Sequence, residues 1–189
     1  VPRFPLLITT SDNSLLTPAT IAEIESEAER LGADAGVALA RREDVLAVHP
    51  EGQRRFYEFS DVAVSNCNAY WLGHPNAQRA AEAFRGGGQF VKKPFRVMRA
   101  FGLINLLRFR FGLGPIHHVF QPISARLDVE LAPLLVSNGA TAIDVDNERS
   151  LRVTEALMRR PDIVNPRPSS RESREERGAA DARQLAVTR

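Results

Sequence analysis

The sequence predicts an α/β fold in which a mostly parallel sheet carries helices on both faces. Short apolar runs alternate with helical patterns along the chain, and these runs lack the polar alternation of a half-exposed strand. The chain has 189 residues and is 43% hydrophobic, so it can form one domain with a sizeable core.

The first strand and the first helix carry the clearest local signals. Residues Pro5–Thr10 form an apolar run that predicts a buried strand. The next helix is expected to begin with Thr17 as its N-cap and Pro18 in its first turn. Apolar residues at helical spacing continue it to about Arg30, and Gly32 is the expected stop.

The remaining elements follow from shorter patterns. A turn at Pro50–Gly52 predicts a strand pair around it, and the turn signal Asn138–Gly139 precedes a last short strand. We expect strands over Ala35–Ala40, Val45–Val48, Arg54–Phe59, Val62–Leu72, Leu127–Val136 and Ala142–Val145, and helices over Pro75–Phe84, Lys92–Phe111 and Asp146–Arg160.

The composition changes after Pro161. The segment 161–189 is rich in charged residues, proline and serine, and it is poor in large apolar residues. Such a segment cannot bury enough apolar surface to offset the entropy of ordering it. We therefore expect a folded domain over residues 1–160 and a disordered charged tail over residues 161–189.

Composition and charge exclude several function classes. The net charge is +2 and no basic face is interleaved with aromatic residues, so nucleic acid is not an expected partner. No run of about 18 apolar residues is present, so no membrane span is expected. The single cysteine, Cys67, rules out a disulfide within the chain and fits a cytoplasmic location. The oligomeric state cannot be read from the sequence.

Asp12 follows the first predicted strand directly. In open α/β sheets, ligands bind beyond the carboxyl ends of the strands. A carboxylate in this position can hold Mg²⁺, which in turn binds substrate phosphates. The alternative is that Asp12 only makes a turn before the helix, and on spacing alone the two interpretations are about equal. Its neighbour Asn13 is a candidate substrate contact.

A second acidic pair, Asp144 and Asp146, lies near the end of the folded region. On a strand the two side chains would point to opposite faces. Asp146 is nearer the expected strand end and is therefore the better metal-ligand candidate, with Asp144 less certain. The alternative is that Asp146 or Asn147 is only the N-cap of the last helix, a common role for both residue types.

Two carboxylates at two strand ends are a plausible metal site for phosphoryl or nucleotidyl transfer. Lys92 and Lys93 could contact phosphates, although lysine pairs more often lie on a solvated helix face. Asn66 and Asn68 lie in an otherwise apolar strand, where an amide needs a partner. A substrate hydrogen bond and a local bulge are both possible explanations, and Cys67 between them is expected to be a small buried residue.

Three stretches together resemble a known family. "LLITTSDNSLLTP" (6–18), "SNCNAYWL" (65–72) and "AIDVDNERSL" (142–151) resemble, in this order, segments of the MobA-like NTP transferases. These nucleotidyltransferases are related to molybdenum cofactor guanylyltransferase and cytidylyltransferase. "KKPFRVMRAFG" (92–102) also resembles a stretch found in a bacterial subset of them. The order and spacing of the segments carry the resemblance, which covers most of residues 4–158.

The resemblance implies roles for individual residues. The family's metal-binding aspartate falls on Asp12, and an asparagine near the substrate falls on Asn68. The late acidic residue matches Asp146, with Asp144 as the second choice. Lys92 and Lys93 become phosphate contacts. Ser14 stands where the family usually has proline.

The resemblance also implies a fold and an activity. The fold would be the Rossmann-like nucleotide-diphospho-sugar transferase fold, with Mg²⁺ or Mn²⁺ as the cofactor. The enzyme would transfer a nucleoside monophosphate from a nucleoside triphosphate to a phosphorylated small-molecule acceptor and release pyrophosphate.

One family feature is absent from this sequence. The family's glycine-rich loop, of the type "GGxGxRMGxxK", does not occur here. The resemblance therefore implies an N-terminally truncated domain in which residues 1–160 are the C-terminal part, and the fragment alone is expected to be nearly inactive. The alternatives are a sugar-nucleotide-dependent glycosyltransferase and a non-catalytic regulatory domain of the same fold.

Overall fold

The computed structural model describes residues 3–78, 81, 107–108 and 111–160. These residues contain five strands and four α-helices, together with two short 3₁₀ helices at Pro75–Ala77 and Gly139–Ala142. The strands are β1 (Leu6–Thr9), β2 (Ala35–Arg41), β3 (Tyr57–Glu58), β4 (Ala63–Leu72) and β5 (Leu131–Val136), and the helices are α1 (Pro18–Leu31), α2 (Arg42–Val48), α3 (His117–Leu127) and α4 (Glu148–Met158).

The strands form one sheet in the order β1-β4-β2-β5, and β3 also pairs with β4. Strands β2 and β5 are parallel, whereas β4 runs antiparallel to β1, β2 and β3. The predicted α/β class is confirmed, but the sheet is mixed. Strands β1, β2 and β5 do run in one direction, yet three of the four described strand pairs are antiparallel.

The sheet has a hydrophobic core on each face. Leu134 and Val136 of β5 belong to one buried cluster together with Ile24 of α1, whereas Leu131 packs in another with Val119 of α3. Leu131 is an odd number of positions from Leu134 and from Val136, so the pleat of the strand places it on the opposite face of the sheet. The expectation of helices on both faces is therefore confirmed.

Helix α1 matches its sequence signals. The hydroxyl of Thr17 accepts a hydrogen bond from the backbone N–H of Thr20 at 3.2 Å, and Pro18 occupies the first turn. Gly32 ends the helix in the left-handed conformation, with φ of +62°. The cap, the first-turn proline and the terminal glycine all act locally, so this helix could be predicted without tertiary information.

Several other predicted elements were wrong. The predicted strand at Val45–Val48 is instead part of helix α2. Glu43 and Asp44 in the first turn of this helix suit a helix N-terminus. Only Tyr57–Glu58 of the segment 54–59 is a strand. The segment 142–145, which was predicted as a strand, is not one. The prediction failed because a short buried apolar run in the sequence does not distinguish a strand from a tight helical turn.

Helix α3 was not predicted at all, and the last described strand is shorter than expected. Pro122 lies inside α3, where proline usually argues against a helix. Strand β5 begins only at Leu131, after the helix has ended at Leu127. Pro133 is tolerated in β5 because this strand pairs only with β2 among the described strands.

Some predictions fall on parts of the chain that the structure does not describe. These are most of the predicted helix at 75–84, nearly all of the helix at 92–111, and the tail at 161–189. Within the described ranges, none of the helices combines the length and the apolar character needed to cross a membrane.

The approach of Gly139 to helix α2 generates a stability prediction. A Cβ atom on Gly139 would lie 2.3 Å from the carbonyl carbon and oxygen of Asp44, which are backbone atoms that cannot turn aside. We expect Gly139→Ala to lower the free energy of unfolding by about 3 kcal/mol, measured by urea denaturation.

Gly32→Ala is the matched control. A Cβ on Gly32 would meet no atom within 4 Å, so only its positive φ opposes the substitution, at about 1 kcal/mol. Equal losses in the two variants would show that the close approach at Gly139 does not limit stability.

Candidate functional site

The candidate site lies at a gap along one edge of strand β4. Strand β2 occupies the other edge of β4, so β1 and β3 must share this one. Strand β1 pairs with residues 69–72 of β4, and β3 pairs with residues 63–64. Residues Ser65–Asn68 are therefore left without a neighbouring strand on this side, directly beyond the carboxyl end of β1.

The turn that follows β1 crosses this gap. The side chain of Asn13 is only 8% exposed, and its Nδ2 donates to the carbonyl oxygen of Cys67 at 2.6 Å. The carbonyl oxygen of Asp12 accepts a hydrogen bond from the backbone N–H of Val145 at 3.1 Å. The turn thus connects β4 to the acidic segment near residue 144, which is far away in the sequence.

Asn68 forms a bulge in β4 and reaches the same segment. The register between β2 and β4 shifts between Val37 and Leu39, and Asn68 has a φ of +47°, a conformation that asparagine tolerates better than most residues. Its Nδ2 donates to Oδ2 of Asp144 at 2.6 Å. A local bulge was one of the two explanations left open for this pair of asparagines, and the structure shows it.

The charges of two other carboxylates act on Asp144 at this site. Burial, then the charge of Asp12 and then that of Asp146 raise the pKa of Asp144 to about 6, although the hydrogen bond from Asn68 opposes the rise. Asp144 is half-buried, whereas Asp146 is exposed. The fold therefore brings both Asp12 and Asp146 near Asp144, and Asp144 is the more buried of the two late aspartates.

Buried acceptor oxygens without a hydrogen-bond partner surround the turn. They are Oδ1 of Asp12, Oδ1 of Asn13 and Oδ1 of Asp144. A buried polar atom left unsatisfied typically costs about 1–3 kcal/mol. While the two acids are ionised, all three atoms can only accept, so a cation or a hydrogen-bond donor would satisfy them.

The donor set fits a hard divalent cation with few protein ligands. Among the residues that the structure describes, no group of three or more His, Cys, Asp or Glu side chains is arranged to hold a metal ion. Mg²⁺, however, is usually held by one or two carboxylates and completes its shell with waters and substrate phosphates. Asp12 and Asp144, with one unpaired oxygen each, match that requirement.

The start of helix α4 resolves one alternative from the sequence. The side chain of Asn147 accepts hydrogen bonds from the backbone N–H groups of Arg149 and Ser150, so Asn147 is the N-cap. The hydroxyl of Ser150 accepts from the backbone N–H of Asp146 at 3.0 Å. The carboxylate of Asp146 is not part of the cap, and its role as a metal ligand stays a prediction.

Other candidate residues have simpler outcomes. Cys67 is fully buried with a free thiol, as expected for a small core residue, and burial strongly raises its pKa. Lys92 and Lys93 lie outside the described residues. Asn66, to which the sequence gave no definite role, hydrogen-bonds to Asn68, and polar residues at alternate positions 66, 68 and 70 of an apolar strand were the available signal.

Comparison with known proteins supports the fold. No protein-family model matches the chain, and no curated protein gives a significant match. One matching solved structure is a hypothetical transferase from Thermus thermophilus, with a TM-score of 0.67 and 22% sequence identity over 78% of this chain. This chain covers 63% of that protein, which is less than two thirds of its length. At this identity the likeness establishes an α/β fold shared with that structure.

The raised pKa of Asp144 generates a prediction about stability. An acid whose pKa is higher in the folded state than in the unfolded state binds its proton more tightly when folded, so stability falls as the pH rises between the two pKa values. For Asp144 this interval runs from the ordinary value of 3.8 to about 6. The neutral variant Asp144→Asn should lose this decrease and be more stable than the wild type at pH 7.

Urea denaturation at several pH values between 3.5 and 8 measures the effect as the difference between the two proteins. Asp61→Asn is the matched control, because Asp61 is exposed and lies outside the acidic group. Parallel stability curves for the wild type and Asp144→Asn would contradict the raised pKa.

Proposed function

We propose that the chain is part of a metal-dependent nucleotidyltransferase. Such an enzyme transfers a nucleoside monophosphate from a nucleoside triphosphate to a phosphorylated acceptor and releases pyrophosphate. The observation that carries the proposal is the pair of partly buried carboxylates, Asp12 and Asp144, each with an unpaired oxygen at the carboxyl end of β1. The fold likeness to a hypothetical transferase is consistent with it.

The three segments that resemble the MobA-like family give further support, because they contact one another. Asn13 of the first segment bonds to Cys67 of the second, and Asn68 of the second bonds to Asp144 of the third. The third returns to the first through the hydrogen bond from Val145 to Asp12. Residues more than 50 positions apart in the sequence are expected to meet in this way if their segments form one site.

In the proposed site, Asp12 and Asp144 would hold Mg²⁺ or Mn²⁺, with Asp146 at the exposed rim. The bound cation would supply positive charge for the phosphates of the substrate. Asn68 orients the carboxylate of Asp144, and the unpaired Oδ1 of Asn13 offers one more acceptor to a hydrated cation or a substrate donor. Lys92 and Lys93 are the proposed phosphate contacts.

Metal binding is the first test of this proposal. We expect isothermal titration calorimetry with MnCl₂ to detect binding to the wild-type chain. Asp12→Asn and Asp144→Asn should each weaken binding at least about tenfold, because each removes a charged ligand. Asp146→Asn should change it less than about threefold, since its exposed carboxylate is screened by water.

These variants also separate the two late aspartates. An equal loss of Mn²⁺ affinity in Asp146→Asn and Asp144→Asn would make both aspartates ligands. Wild-type affinity in both Asp12→Asn and Asp144→Asn would reject the proposed site.

Nucleotidyl transfer itself is tested by pyrophosphate release. Because the sequence has no glycine-rich loop of the family type, we expect the purified chain with Mg²⁺ to turn over each nucleoside triphosphate at or near the background rate. Robust turnover that Asp12→Asn abolishes would show that this chain cradles a triphosphate by other means. A coupled colorimetric assay for pyrophosphate is sufficient.

A further inference from the structure

The hydrogen bonds between Asn66 and Asn68 have a defined direction. A backbone N–H can only donate, and that of Asn68 donates to Oδ1 of Asn66 at 3.0 Å. The amide nitrogen of Asn66 must therefore lie on its other side, where it donates to Oδ1 of Asn68 at 2.9 Å and to the hydroxyl of Tyr70 at 3.1 Å. The orientation of the Asn66 amide is therefore set by the backbone N–H of Asn68, which can act only as a donor.

The orientation of the Asn66 amide also determines which group of Asn68 faces Asp144. Because Oδ1 of Asn68 already accepts from Asn66, the group that Asn68 turns toward Asp144 is its amide nitrogen, 2.6 Å from Oδ2. A reversed Asn68 amide would place a carbonyl oxygen against a carboxylate, which is repulsive. The observed orientation occupies Oδ2 of Asp144 and leaves Oδ1 without a partner.

Asn66 also supports the backbone at the bulge. The bulge takes Asn68 out of the regular ladder with β2, and its N–H then needs another acceptor. The side chain of Asn66 supplies that acceptor beside a residue with a φ of +47°. One side chain thus fixes both the main chain and the amide of Asn68.

We propose that Asn66 is a positioning residue, which orients the Asn68 amide so that Asp144 presents one free oxygen to a divalent cation. The orientation stands on the hydrogen bonds alone, whereas the cation rests on the proposed function. Asn66 itself makes no described contact with the carboxylates. Its contribution passes through Asn68.

Asn66→Asp is the decisive variant, because it changes one donor to an acceptor at nearly constant shape. One carboxylate oxygen can still accept from the N–H of Asn68, but the other now attracts the amide nitrogen of Asn68. The Asn68 amide should turn, and its carbonyl oxygen should then face Asp144. Asn66→Ala, which removes all three hydrogen bonds of the Asn66 side chain, is the second variant in case the added charge prevents folding.

Tyr70→Phe is the matched control. It removes one partner of the Asn66 amide but leaves the hydrogen bonds between the two asparagines in place. Circular dichroism verifies that all variants keep the fold.

Two measurements test the proposal separately. The side-chain amide signals of Asn68 in a ¹⁵N–¹H spectrum, assigned by their loss in Asn68→Ala, should move clearly in Asn66→Asp and little in Tyr70→Phe. Mn²⁺ affinity, measured by calorimetry on the same proteins, should fall at least about fivefold in Asn66→Asp and less than about twofold in Tyr70→Phe.

The outcomes separate this inference from the proposed function. Unchanged Asn68 amide signals in Asn66→Asp would overturn the positioning role. A wild-type chain that binds no Mn²⁺ would overturn the cation half and the proposed function together, while the amide signals would still decide the orientation. Altered signals with unchanged Mn²⁺ affinity would limit Asn66 to a structural role and overturn the proposal.

Discussion

The site depends on a gap that the sheet leaves beside β4. Strands β1 and β3 share one edge of β4, and neither reaches residues Ser65–Asn68. Backbone groups in such a gap must find partners outside the ladder. Asn13 provides one for the carbonyl of Cys67. On the other edge, the bulge takes the N–H of Asn68 out of the ladder with β2, and Asn66 provides its partner. The polar residues of an otherwise apolar strand are therefore a consequence of the interrupted pairing.

The carboxylates of Asp12 and Asp144 lie near this gap, and their proximity is unfavourable for folding. Asp144 loses hydration there and faces the charge of Asp12, and both effects raise its pKa. A sequence selected for stability alone would place a neutral side chain at this position. Two acids with unpaired buried oxygens at one place in the fold are typical of a site where function opposes stability.

Local signals in the sequence were sufficient for part of the fold. Helix α1 was predicted because a capping threonine, a first-turn proline and a terminal glycine act within a few residues. The predicted strand at Val45–Val48 was wrong because the apolar residues there suit a strand or a helix equally, and only packing decides between them. The reversed direction of β4 also could not be read, since no short turn connects it to either of its main neighbours.

The site was predictable to a similar extent. Asp12 could be placed because an apolar run ends just before it, although the strand there, β1, is partly exposed and the prediction of a buried strand was wrong. Asn68 could be placed because an amide in an apolar strand needs a hydrogen-bond partner. The preference for Asp146 over Asp144 assumed a strand, whereas these residues lie in an irregular segment before α4. The hydrogen bond between Asn68 and Asp144 spans 76 positions of the chain, and no local pattern encodes such a contact.

A shared fold does not determine an activity, so the case for a transferase site depends on its chemistry. The oxygens around the turn can only accept, and two of them belong to carboxyl groups. A proton and a metal ion are the two simplest ways to satisfy such atoms. Burial and the neighbouring negative charges raise the pKa of Asp144, so the site favours a proton when no other positive charge is present. That preference for positive charge is also what a divalent cation would use, because it would neutralise both acids together without displacing the hydrogen bond from Asn68.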